Sequence, residues 1–506
     1  MRHDEYVQHD AIALAGLVRA GEVTPSELVE AAIARMDAVN PALNAVVHRL
    51  DGAARAVAAS AADLPDGPFR GVPFLVKDMD GHLADEPCTF ASRSLVDWVP
   101  DHDTELFARY RAAGVIFLGK TNCPEFGIYG VTEPELHGPS RNPWDLDHTP
   151  GGSSGGSGAA VAAGIVPVAH GGDGGGSIRI PASANGLFGL MPSRGRTPMG
   201  PGEGEGWHGL VRRHVLSRTV RDSAAFLDAT QGGDTGSPYS APPAGAFLAA
   251  AQRDPDRLRI GYSTASVLGR AMDPECIAAV ESAAALLEGL GHELVEVELP
   301  IDRAEVANAY ITIVAAGVGE MVEATATKTG RKPRPSDFEA PTWFLRQASD
   351  VLSARDLEHA REVVAATTRA IGRMFADRGL DVHLTATLPY PPMRVGENSP
   401  AAADELAMRV LRTLPVNLSP AIRMALGQLA GPRLEKAANT QVWNMTGQPA
   451  MSVPLHWTAD GLPVGVQLAG AFAAEERLFS LAAQLEHASP WLPRLLAGPA
   501  TAPFPA

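Results

Sequence analysis

The chain has 506 residues, 45% of them hydrophobic and 20% charged, with 51 glycines and 41 prolines. The glycine and proline excess would suit low complexity, but the hydrophobic share is that of a folded chain able to bury a large core. A formal charge of −16 disfavours a nucleic-acid backbone or an anionic membrane surface as partner.

In chain order, residues 10–40 are expected to be helical. Thr24-Pro25-Ser26-Glu27 supplies a cap, a proline at the first helical position and a glutamate at the third; Leu28, Ala31, Ala32, Ile33 and Met36 then follow at helical spacing. Gly71–Val76 reads as a short buried strand ending at Lys77. Leu106–Ala113 reads as a helix followed by the strand Val115–Leu118, and Ala159–Ala163 as a small-sided helix inside a glycine-rich segment. Thr219-Val220-Arg221-Asp222 is a second capping box, opening a helix through Ala229. Residues 232–256 read as a surface loop. A strand–helix–strand unit follows at Leu258–Tyr262, Pro274–Leu290 (capped by Asp273) and His292–Leu299. Residues 303–380 are expected to be mostly helical and 390–440 to form a candidate lid. Met451–Pro454 and Val464–Ala469 read as late strands before a final helix at Glu475–Glu486. Interleaved helices and strands indicate an α/β fold with a mixed sheet.

The cysteines are only Cys88, Cys123 and Cys276, odd in number and far apart, which argues against a disulfide framework and for a reducing compartment. With a polar, acidic N-terminus and no apolar run near 20 residues in the glycine-rich region, the expectation is a cytoplasmic protein with no membrane contact. The 15 histidines show no metal-ligand spacing, and neither metal nor cofactor is expected. Of 42 basic residues only Lys77, Lys120, Lys328, Lys332 and Lys436 are lysines. A codon bias toward arginine explains the ratio, but only lysine can lose its proton inside a protein.

Eleven glycines fall in Gly151–Gly176. The segment lacks the Lys-Ser/Thr of a phosphate loop and the third in-frame glycine of a dinucleotide fingerprint. A nucleophile elbow, Gly-x-Ser-x-Gly, fits Gly152–Gly156 and also one residue earlier, so the match is cheap. A fourth reading accounts for more residues. Gly174, Gly175 and Gly176 can aim consecutive backbone amides at one point, a nest that would stabilise an oxyanion, and Ser177 at its end is placed to attack a carbonyl. Serine needs a base. Lys77, after an apolar strand, suits a desolvated neutral lysine, whereas His170 reads as structural.

Taken together these motifs resemble the amidase signature family of serine hydrolases. Gly151-Gly152-Ser153-Ser154-Gly155-Gly156-Ser157 is followed, 24 positions after Ser153, by the serine of Asp173-Gly174-Gly175-Gly176-Ser177-Ile178-Arg179. Val76-Lys77-Asp78, Gly119–Asn122, Arg141–Trp144, Asn444–Pro449 and Gly461–Gln467 are further shared blocks, so the resemblance covers nearly the whole chain. Asp101–Asp103, Arg111–Gly114, Val131–Glu135 and Pro167–Gly171 are similar to a bacterial branch that acts on cyclic amide oligomers; carbamate-cleaving amidases belong to the same family.

The resemblance implies one amidase domain over 1–506, with a mixed twisted β-sheet covered by helices on both faces. Within it, 1–65 would be N-terminal helices, 66–235 the signature core, 256–440 a smaller α/β and helical elaboration, and 441–506 a return to the core. It implies Ser177 as nucleophile, Ser153 as bridging serine at a cis peptide bond, Lys77 as general base, and Gly174, Gly175 and Gly176 as oxyanion hole. Ser154, Asp173 and Arg179 would brace the loops, and Ile128, Tyr129 and Gly130 would lie near the acyl pocket. The expected reaction is hydrolysis of a small amide or carbamate through an acyl-enzyme, by a chain acting alone or as a homodimer. The alternative is an amidotransferase subunit that delivers ammonia to a partner. The chain departs from the family pattern at Gly174, where a larger residue is common, and at Gly202–His214. Arg212 and Arg213 in that second stretch read as a solvated face, with binding at the pocket rim as the minority reading.

Overall fold

The computed structural model describes residues 1–398, residue 422 and residues 438–503. Eleven strands form one sheet: β1 (Val46–Arg49), β2 (Pro73–Lys77), β3 (Ile116–Thr121), β4 (Val168–Asp173), β5 (Phe188–Met191), β6 (Arg212–Ser217), β7 (Arg259–Tyr262), β8 (Glu293–Glu296), β9 (Val382–Ala386), β10 (Ala450–Trp457) and β11 (Pro463–Gly470). Their order is β1-β3-β2-β4-β6-β5-β10-β11-β9-β7-β8. The α/β architecture expected from the sequence is the observed one. Pairing is parallel for β2 with β3 and β4, and again for β7 with β8 and β9, while the strands between run antiparallel. The sheet is therefore mixed.

Strands β2, β3, β4 and β6 are buried at every residue, as strands covered on both faces must be. The strand–helix–strand unit after residue 256 does not stand apart. Its strands β7 and β8 lie parallel and continue the sheet through β9.

At the N-terminus, Thr24 accepts from the Glu27 amide and Glu27 reaches back to the Thr24 amide, closing the capping box of the helix Pro25–Leu43. The helix ends at Asn44 in the left-handed region, and Leu28, Val29, Ile33, Met36 and Val39 all bury on one side. Each such side chain removed from water contributes roughly 1.5–3 kcal/mol.

The second box forms only in half. Thr219 accepts from the Asp222 amide, but the Asp222 carboxylate turns away to accept from the amides of Ala11 (2.8 Å) and Ile12 (3.1 Å), capping another helix, Ala11–Ala20. Buried orphan amides there outcompete the local partner. The expected surface loop at 232–256 contains a helix, Phe247–Ala251, started by Asp228, whose carboxylate accepts from the Phe247 and Leu248 amides. The helix Glu475–Ala488 is followed by one more, Leu492–Ala497.

The helices Arg303–Thr329, Ala340–Val351 and Ala354–Arg378 pack on one another. The first is long and apolar enough to cross a membrane by length and composition, yet half of its most apolar window is buried inside the protein. Of the candidate lid, residues 399–421 and 423–437 lie outside the described residues; the stretch before them is bridged to the loop at 147–149.

Replacing Thr24 with alanine removes one cap and should cost about 1 kcal/mol of stability. The readout is the thermal midpoint of unfolding against wild type; an unchanged midpoint would show that the capping box contributes nothing.

Candidate active site

Lys77 closes β2, the cis peptide bond Gly152–Ser153 lies in the loop before the helix Gly155–Ala162, and Ser177 lies between β4 and the helix Arg179–Asn185. The sheet brings all three to one cavity of about 390 Å³, lined by Lys77, Ser153 and Ser177 together. Lys77 is buried, and its Nζ lies 2.8 Å from Ser153 Oγ. Ser154 joins the two serine loops: its amide donates to the Ser177 carbonyl, and its hydroxyl both donates to the Gly172 carbonyl (3.2 Å) and accepts from the Gly172 amide (3.3 Å).

Asp173 and Arg179 are fully buried and paired, Nε to Oδ2, at 2.9 Å. Burial alone would raise the Asp173 carboxyl. The charge and hydrogen bonds of Arg179, with Asn444 and the Ile178 amide, outweigh burial and hold it at about 2. Asp173 also accepts from the Gly176 amide at 2.7 Å. This corrects the expectation that all three glycine amides face the reacting carbonyl. The Gly176 amide is turned into the protein, because a buried carboxylate demands donors. Gly174 and Ser177 line the cavity.

His170 is buried and neutral. Desolvation pushes its pKa down to about 3, and its Nδ1 accepts the backbone amide of Lys77. Cys88 and Cys123 are buried, and burial raises both thiols, Cys88 to about 12.

Two expectations need revision. Ile128, Tyr129 and Gly130 do not line the cavity, whereas Phe126 and Gly127 just before them do. Both have positive φ, 51° and 67°, which turns this short segment inward earlier than the sequence suggested. Arg212 and Arg213 are not a solvated face, for they begin β6 in the middle of the sheet and are buried. Arg212 donates to the Leu210 and Asn444 carbonyls, both at 2.7 Å, and Arg213 pairs with Glu203 and donates to the Met199 carbonyl.

Sequence reasoning missed Asp80, whose Oδ2 lies 2.7 Å from Lys77 Nζ. It also missed Trp207, which lines the cavity. A Cβ on Gly174 would come within 2.9 Å of the Trp207 ring, and one on Gly317 within 2.4 Å. The indole thus occupies a slot that two glycines leave open.

A family model described as Amidase matches residues 27–431 and 432–479. The chain belongs to the amidase signature family. A 6-aminohexanoate-cyclic-dimer hydrolase of Pseudomonas sp. (strain NK87) is 37% identical over 493 residues, 96% of each chain. The solved structure of 6-aminohexanoate cyclic dimer hydrolase complexed with substrate aligns at TM-score 0.87 and 36% identity, over 97% of this chain and 99% of that one. A bacterial aryl acylamidase of the same family aligns at TM-score 0.84 and 27% identity, over 98% and 99%. This amidase is therefore a hydrolase of carbon–nitrogen bonds other than peptide bonds.

One wall of the amidase cavity carries a pH-dependent cost. Glu125, beside Phe126, is buried; desolvation pushes it up to about 7, and Glu339, whose amide donates to it, is pushed up by burial and by Glu125 to about 8. A carboxyl raised on folding holds protons that the unfolded chain releases, so the stability these two groups contribute falls as pH climbs from about 4.5 through 8. The thermal midpoint of Glu125→Gln should therefore climb relative to that of wild type over that range; a constant difference would show that Glu125 does not titrate there.

Proposed function

We propose that this amidase cleaves small amides through an acyl-enzyme, with Ser177 as nucleophile, Ser153 as proton bridge and Lys77 as general base. The observation that carries the reading is the 2.8 Å contact of Lys77 Nζ with Ser153 Oγ at a cavity that Ser177 also lines. Unprotonated Lys77 takes the proton of Ser153 as Ser153 takes that of Ser177, and Ser177 Oγ attacks the carbonyl carbon. The oxyanion is held by the amides of Gly174, Gly175 and Ser177, since that of Gly176 serves Asp173. The proton returns through Ser153 to the departing amine, and water then cleaves the ester.

Support for the substrate class comes from the lining. Met79, Phe90, Leu95 and Phe126 make one side apolar, and Trp207 forms part of another. A cavity of this size suits a small molecule. Relatives named for a cyclic amide dimer and for aryl acylamides make cyclic oligoamides and anilides the first substrates to compare, with aryl carbamates beside them. Three buried free cysteines suit a reducing, cytoplasmic setting.

Ser177→Ala should abolish turnover, and Lys77→Ala should lower kcat/KM by at least about 10³-fold. A fluorophosphonate probe should label Ser177 alone. Full activity in either variant, or labelling at Ser154, would overturn the assignment. The substrate class is read from kcat/KM across nitroanilides, nylon oligomers and aryl carbamates.

A further inference from the structure

We propose that Asp80 is a positioning residue of this reaction: its carboxylate holds Lys77 Nζ against Ser153 and balances the charge that Lys77 gains when it takes the proton. The inference rests on the reading of Lys77 as general base. Lys77 Nζ has two partners, Asp80 Oδ2 at 2.7 Å and Ser153 Oγ at 2.8 Å. The amine thus sits between the group that delivers a proton and a group that stabilises the product of its delivery.

Placing a carboxylate there takes two unusual features. Asp80 has a positive φ of 66°, which turns the chain back under the amine within three residues; Asp and Asn are the side-chain-bearing residues that best tolerate this region. The space for it exists because residue 172, on the neighbouring strand β4, is glycine: a Cβ there would lie 2.2 Å from Asp80 Oδ2. Both features serve one contact, which a side chain present merely to fill space would not need.

The other groups facing the pair leave the assignment to Asp80. His170 on β4 is buried and neutral, with its Nδ1 occupied by the Lys77 amide. Cys123, after β3, is buried with its thiol held protonated, since burial pushes its pKa well up. Asp78, the neighbour of Lys77 in sequence, is turned the other way and accepts from Thr89. Arg213 on β6 adds positive charge near Asp80 and is itself paired with Glu203. Burial would raise the Asp80 carboxyl, but Lys77 and Arg213 outweigh it and keep the group ionised.

The proton balance follows. When Ser177 attacks, one proton passes through Ser153 to Lys77, whose –NH2 becomes –NH3⁺ beside the Asp80 carboxylate. When the amine leaves, that proton returns by the same route and the ion pair is lost. Asp80 stabilises the protonated form in both directions.

The test is the pH profile of kcat/KM for Asp80→Asn, which keeps the shape of the side chain and tolerates the backbone. The plateau should fall, because the charge that forms on Lys77 has lost its partner, and the acid limb should move to lower pH. A limb at the wild-type pH with uniformly lower activity would mean that Asp80 only supports the fold, and would overturn the proposal. Should Asp80→Asn not fold, Asp80→Gly keeps the backbone freedom, removes the carboxylate and is read the same way. Lys77→Ala is measured alongside. Full activity there would sink the base reading and this inference with it, whereas an inactive Lys77→Ala with an unmoved Asp80→Asn limb would sink the Asp80 assignment alone.

Discussion

The site depends on the buried pair of Asp173 and Arg179. Asp173 ends β4, Arg179 begins the next helix, and between them the chain must place Ser177 at the cavity. The carboxylate gathers the amides of Gly176 and Ile178 and two nitrogens of Arg179, which fixes the turn from the inside. The guanidinium then reaches across to the Thr440 carbonyl, Asn444 Oδ1 and Gln467 Oε1. Segments nearly 300 residues apart are tied at the Ser177 loop. Two buried charges are costly unless every donor and acceptor is used, and removing one partner of such a pair typically costs about 3–5 kcal/mol. Here the guanidinium donors are used, and Asn444 and Gln467 supply two of the acceptors.

Gly174 and the stretch 202–214, the two places where the sequence reading expected a departure from the family pattern, meet in one packing arrangement. Trp207 comes from the individual stretch and fills the volume that Gly174 and Gly317 leave open. Trp207 and His208 both have positive φ, so the loop that presents the indole is held in a conformation side chains rarely adopt. Its neighbours hold it there: the Leu210 amide donates to the Trp207 carbonyl, the Val211 amide to that of Gly206, and Arg213 pairs with Glu203. The cavity wall is thus set jointly by the loop at Gly174, the 202–214 stretch and the long helix Arg303–Thr329.

What the sequence made legible follows from locality. Lys77, Ser153 and Ser177 stand in short motifs whose spacing carries the chemistry, and the apolar runs at β2, β3, β10 and β11 mark buried strands. β6 escaped because it opens Arg212-Arg213-His214, a polar run whose partners, among them Met199, Glu203 and Asn444, no local pattern announces. Asp80 escaped although it lies three residues from Lys77. Its role comes from a reversed backbone and from the missing side chain of residue 172 on another strand. The second capping box failed for the same reason: Asp222 found buried amides at the N-terminus, over 200 residues away, that local spacing could not foresee.

The scarcity of lysine can now be argued from the sheet. Lys77 and Lys120 are both buried, on the paired parallel strands β2 and β3, but out of register by one: Lys120 pairs with Val76 and Lys77 with Thr121. Side chains alternate along a strand, so the two amines leave the sheet on opposite faces. On its face Lys120 donates to the backbone carbonyls of Glu86 and Pro87, near the Asp78 carboxylate, and none of these groups supplies a proton. On the other face Lys77 meets a serine hydroxyl and a carboxylate. Two lysines equally buried and one residue out of step therefore have different chemistry available to them. The register of β2 against β3, not burial, decides which one reaches a serine hydroxyl.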